Sequence, residues 1–132
     1  MQDKIVNRFV PWIAFSGFLA VAVGAFGAHV LRVRIDTGLL AVLDTGNKYH
    51  FYHTLAAGIA TLLFLSFGDK TPEKQKKAVV LLFLWGNFFF AGSLYLLAIT
   101  GIRWLGAITP IGGIMYMLGW AILGYTFVFQ RR

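Results

Sequence analysis

Four stretches of this chain contain no Lys, Arg, Asp or Glu: Phe9–Leu31, Tyr49–Gly68, Ala78–Ile102 and Trp104–Gln130, of 23, 20, 25 and 27 residues. They confine all 17 charged residues to the remaining 37 positions. A water-soluble core cannot use four such segments, because each would need apolar cover on every side. A bilayer supplies that cover, and its hydrocarbon core of about 30 Å takes about 20 apolar residues per helix. Charged residues make up 13% of the chain, about half the roughly 25% of a soluble domain. The pattern excludes a soluble enzyme, a disordered protein and a nucleic-acid-binding domain. It predicts an all-α integral membrane protein: one four-helix transmembrane domain over residues 1–132, with spans at about 10–31, 50–67, 78–100 and 104–129.

The ends and connections follow from local chemistry. Lys4 and Arg8 precede an apolar run, and Ala25-Phe26-Gly27 resembles a signal-peptide cleavage site. The run from Phe9 to Ala28 exceeds the usual apolar region of about 7–15 residues, so it reads as a retained first span. Pro11 suits the first turn of that span. Between spans one and two, Arg32–Lys48 has an apolar side (Ile35, Leu39, Leu40, Val42, Leu43) and a polar side (Asp36, Asp44, Lys48). This predicts a short amphipathic helix lying at the membrane surface, capped by Asp36 and broken near Gly46-Asn47. Gly101-Ile102-Arg103 predicts a tight turn between antiparallel helices three and four, and Pro110 predicts a bend in helix four. Ala20, Gly24 and Ala28 repeat every four residues, and Gly112 and Gly113 lie in helix four. Small residues at such positions let helices approach closely in lipid.

Net charge is +7 and the pI is about 10.1. With the basic residues in short loops and tails, this predicts contact with anionic headgroups and control of topology. Lys4, Arg8, Lys70, Lys74, Lys76, Lys77, Arg131 and Arg132 fall on one side; Arg32, Arg34, Lys48 and Arg103 fall on the other. Eight against four places both termini in the cytoplasm, with the protein in the inner (cytoplasmic) membrane. The absence of cysteine excludes disulfides, iron–sulfur clusters and Cys-ligated zinc.

Polar groups inside the spans carry the functional information, because an unsatisfied one is costly in hydrocarbon. His29, Tyr49, His53, Ser93, Tyr95 and Thr109 map to the outer ends of the four helices and predict a structural polar knot there. His50 and His53, three residues apart, are expected to share a face. With His29 they offer an alternative: a site for a metal, haem or quinone. The knot is the preferred reading, with His53 essential to it and His50→Gln tolerated. Asn87 is the comparable residue deeper in helix three. Ser16, Ser66 and Ser93 lack an acid at matching depth, so no catalytic residue is assigned, and neither a metal nor a cofactor is expected. The expected partners are the lipid bilayer and other membrane subunits or a second copy of the chain, with no nucleic acid. The expected function is a non-enzymatic membrane-stabilising protein or an accessory subunit of a larger membrane complex. A transporter is disfavoured, since no charged residue lines the spans.

The segments Gly24-Ala25-Phe26-Gly27-Ala28-His29, Thr45-Gly46-Asn47-Lys48-Tyr49-His50-Phe51-Tyr52-His53, Ala91-Gly92-Ser93-Leu94-Tyr95, Thr109-Pro110-Ile111-Gly112-Gly113 and Gly119-Trp120 resemble, in this order, the YgdD-like family of small four-helix inner-membrane proteins, domain of unknown function 423. His50 stands where that family usually has Gln, and Ala91 where it usually has Ser. The resemblance implies the fold and the membrane location, and implies no reaction.

Overall fold

The computed structural model describes residues 3–129. Four long helices account for most of it: α1 (Asp3–His29), α2 (Thr37–Phe67), α3 (Glu73–Thr100) and α4 (Thr109–Phe129). Short 3-10 turns at Leu31–Val33 and Arg103–Ala107 complete the helical content, and no strand occurs among the described residues. At 1.5 Å per residue the four helices are about 31 to 46 Å long. All four are long and apolar enough to cross a membrane.

Helix α1 starts at Asp3, and Pro11 lies inside it rather than in its first turn. The Pro11 ring cannot donate to the carbonyl four residues earlier, at Asn7, which is exposed. Helix α4 begins later than the sequence suggests. Residues 103–107 form the 3-10 turn, and Pro110 is the second residue of α4. There its missing N–H costs nothing, so it starts the helix instead of bending it. The connection into this turn uses Gly101 at φ +70°, whose N–H bonds to the Leu97 carbonyl at 2.8 Å. Among the described residues that cap is the one position with a positive φ, the conformation that favours glycine.

The separate surface helix expected between spans one and two does not form. Asp36 does cap a helix, accepting from the Gly38 N–H at 2.6 Å, but that helix is the 31-residue α2 itself, unbroken at Gly46-Asn47. Two contacts explain the continuity. Leu43 is buried with Leu31 and Ala98, flanked by Val23, Ile35, Val42 and Tyr95, so the apolar side faces protein and not the membrane surface. Gly46 sits where a Cβ would be 3.0 Å from the Leu94 Cβ, so its lack of a side chain lets α3 close on α2.

The helices pack mainly on their neighbours in sequence. The α2–α3 interface is the most extensive, followed by α3–α4 and α1–α2, while α1 and α3 touch only briefly. The main core holds Ile5 and Phe9 of α1, Ala56, Ala57, Ala60 and Phe64 of α2, Val79, Val80 and Phe83 of α3, and Tyr116 and Leu123 of α4. Small residues set the close approaches. Ala20 is fully buried, and a Cβ on Gly24 would lie 2.8 Å from the Asn47 Oδ1. Ala28, expected on the same seam, is exposed; Gly27 takes the place against Leu43. The drift arises because 3.6 residues per turn rotates a strict four-residue repeat off the seam. Gly112 crosses α3 at Gly86, and Gly113 lies beside the Phe90 ring.

Those crossings differ sharply in tolerance. A Cβ on Gly112 would lie 2.8 Å from the Gly86 carbonyl oxygen, whereas one on Gly124 would meet nothing within 4 Å. Gly112→Ala is expected to destabilise by about 1–3 kcal/mol through overpacking. Gly124→Ala should be neutral or stabilising by up to about 1 kcal/mol through helix propensity. Thermal unfolding of both variants in detergent measures the difference.

Candidate functional site

A hydrogen-bonded row of side chains crosses the interior and takes members from all four helices. In α2, Asn47, His50 and Thr54 follow one another at spacings of three and four, forming one stripe. Asn47 Nδ2 donates to the Ala20 carbonyl of α1 at 2.8 Å and to the Tyr95 hydroxyl of α3 at 3.1 Å. His50 bridges α3 and α1: its Nδ1 meets the Tyr95 hydroxyl at 2.9 Å and its Nε2 meets Ser16 Oγ at 3.0 Å. Ser16 Oγ is 2.7 Å from Thr54 Oγ1. Asn87 Nδ2 approaches Thr54 Oγ1 at 3.1 Å and Ser16 Oγ at 3.3 Å, and Asn87 Oδ1 accepts from the Tyr116 hydroxyl of α4 at 2.8 Å. One amide thus ties α3 to α1 and α2 through its nitrogen and to α4 through its oxygen.

His53 belongs to the adjacent stripe of α2 and faces α4. Its ring lies flat on Tyr116, with centroids 3.4 Å apart and planes within 7°. Trp120 Nε1 donates to His53 Nε2 at 3.2 Å. Having accepted there, the neutral imidazole carries its proton on Nδ1 and donates it to the Tyr49 carbonyl at 2.9 Å. Tyr116 joins the two groups: its hydroxyl serves the row and its ring serves His53.

The residues singled out in sequence are dispersed by this geometry. His53 and Tyr49 are linked, Tyr49 through its carbonyl and by a ring centroid distance of 6.0 Å. Tyr95 binds His50. Ser93 and Thr109 pair at 2.6 Å, with Ser93 also donating to the Phe90 carbonyl; this link pins the start of α4 to α3, apart from the histidines. His29 is exposed at the last turn of α1 and has no contact with the others. His50 and His53 do not share a partner: at about 100° per residue Asn47 and Thr54 lie about 60° and 40° to one side of His50, and His53 lies about 60° to the other. His50 therefore points between α1 and α3, and His53 at α4. The three histidines do not converge, and among the described residues no three His, Asp or Glu side chains form a metal-sized group. All four ring nitrogens of His50 and His53 are engaged with protein groups.

Ser16, Asn47, Thr54, Tyr116 and Trp120 were not expected in the site. The available signal was the 47/50/54 stripe, which matches the helical repeat. In sequence, Gly46-Asn47 resembles a helix break, and Ser16 a serine without a matching acid. Tyr116 resembles a core aromatic until its hydroxyl is placed against Asn87.

A buried group that loses its partner costs about 1–3 kcal/mol. His50→Ala and His53→Ala are each expected to lower stability by that order. His50→Gln should retain most of the wild-type stability, because the amide also offers a donor and an acceptor. Thermal unfolding of the three variants in detergent tests the ranking.

Residues 23–113 match the family model described as "Protein of unknown function (DUF423)". The chain is 41% identical over 115 residues to the UPF0382 membrane protein YwdK of Bacillus subtilis, covering 87% of this chain and 91% of that protein. It is 40% identical to a UPF0382 membrane protein of Staphylococcus saprophyticus, covering 87% and 92%. It is 35% identical over 128 residues to the UPF0382 inner membrane protein YgdD of Escherichia coli, covering 90% and 88%. No solved structure matches the chain. With four helices able to cross a membrane and relatives aligned along most of its length, the chain belongs to the DUF423 family of membrane proteins.

Proposed function

We propose that this chain is a non-enzymatic multi-pass protein of the cytoplasmic membrane that acts as a structural element, either stabilising the membrane or serving as an accessory subunit of a larger membrane complex. The observation that carries this reading is the closure of the polar row. Its donors and acceptors are spent on one another, and no buried side-chain nitrogen or oxygen among the described residues lacks a partner. Groups held this way brace helices against each other; a reacting site would need some of them directed at substrate. The engaged ring nitrogens of both buried histidines weigh against haem or metal ligation by them. The relatives' shared name, membrane protein, fits the same reading.

Affinity isolation from native membranes in a mild detergent tests the accessory role. A stoichiometric set of membrane subunits is the expected result. A chain that carries a Soret band, zinc or a quinone lost in His53→Ala would overturn the proposal.

The orientation proposed from the eight-to-four distribution of Lys and Arg has both termini in the cytoplasm. Arg131 and Arg132, which contribute to it, lie outside the described residues. Lys70, in the α2–α3 turn, and Val33, between α1 and α2, are exposed on opposite sides. Because the chain has no cysteine, Lys70→Cys and Val33→Cys each give a single thiol. An impermeant thiol reagent applied to intact cells should label the thiol at position 33 and spare the one at position 70; the reverse pattern would invert the topology.

A further inference from the structure

The weak contact between α1 and α3 leaves a lateral cleft of about 540 Å³ between them. The geometry points to this cleft as a binding site for one anionic phospholipid, with an acyl chain in the cleft and the phosphate at Arg8. Its walls are overwhelmingly apolar, with Trp12 and Phe15 on α1 and Trp85 and Phe88 on α3.

The dimensions select the occupant. On α1 the cleft runs from Arg8 to Leu19 and on α3 from Leu81 to Tyr95, or about 17 and 21 Å at the helical rise. That matches one leaflet of a hydrocarbon core about 30 Å thick. Spread over that length, 540 Å³ is a cross-section of about 28 Å², well short of a partner helix about 10–12 Å across.

Charge selects the headgroup. Arg8 stands at the mouth of the cleft, and among the described residues no carboxylate is paired with it. Helices α1 and α3 run parallel and start on the same side. Lys4 and Lys77 therefore stand one turn beyond Arg8 and Leu81 at that same mouth. Basic residues at a membrane surface attract anionic lipid.

The inner end argues against a ligand whose polar group sits deep. Ser16, His50, Asn87 and Tyr95 border the cleft there, but their bonds run to one another. A chain terminus meets no free donor. Gly92 provides the last part of the space: a Cβ built on it would meet nothing within 4 Å.

The test uses the full chain, purified in mild detergent and washed free of loose lipid, with bound phospholipid counted by native mass spectrometry. Phosphatidylglycerol and phosphatidylcholine are then offered in mixed micelles. The wild type should retain one phospholipid and prefer phosphatidylglycerol. Arg8→Gln should weaken that preference about fivefold, the effect of removing one basic residue at the surface. Gly92→Leu should empty the cleft without lowering the unfolding temperature, since its side chain enters open space and a glycine leaves a helix. Retention of no phospholipid by the wild type, equal binding of the two lipids, or unchanged retention in Gly92→Leu would overturn the site. An isoprenoid as the retained molecule would overturn it as well. Should Gly92→Leu fail to fold, the Arg8→Gln comparison still decides the headgroup, because that exposed side chain packs in no core.

Discussion

Hydrogen bonds in hydrocarbon have no water to replace them, and Asn87 is where this constraint is tightest. It is buried in the middle of α3 and must find partners for both ends of its amide. It does so with Ser16, Thr54 and Tyr116, and in doing so fixes the relative heights of all four helices. Helix association in lipid lacks the drive that buries apolar surface in water. Register must then come from directional contacts and from shape, and this bundle uses both. Gly112 against Gly86 brings backbones close, and Gly27 makes room for the Leu43 side chain; the polar row, reaching from Ala20 to Tyr116, sets how far each helix slides.

The number of long helices and their apolar character were legible because each depends on composition alone. The helix starts were less so, that of α2 least of all, at Thr37 instead of about residue 50. A run of uncharged residues marks what can lie in hydrocarbon, whereas helix limits depend on caps and turns, and α1 extends two turns past its apolar segment to Asp3. The interfacial helix failed for a related reason. An apolar face at Leu39, Leu40 and Leu43 looks the same in sequence whether it lies against lipid or against Leu31 and Ala98.

The candidate site was legible in part. That polar residues within spans would satisfy one another follows from the solvent, and Tyr95 and His53 were placed among them. Which residues pair depends on rotation about the helix axis and on the neighbour met there. His50 and His53, three residues apart, meet different helices: one braces α1 to α3, the other stacks on α4. The hydroxyl of Ser16 leaves no signature in sequence, since small hydroxyl residues also occur as ordinary packing elements.

The neighbour-to-neighbour packing of the helices bears on the order of synthesis. A chain emerging from the ribosome delivers α1 first, carrying Ser16 into the membrane with nothing from the other helices to bond. The next helix brings His50 and Thr54, both within reach of that hydroxyl. The third brings Tyr95 for His50 and Asn87 for the hydroxyl pair. Only then is the Asn87 oxygen waiting, and the last helix brings the Tyr116 hydroxyl that fills it. Each arrival settles a polar group left by the helix before it, so the succession of spans is itself an assembly sequence in which few donors or acceptors face lipid for longer than the making of one more helix.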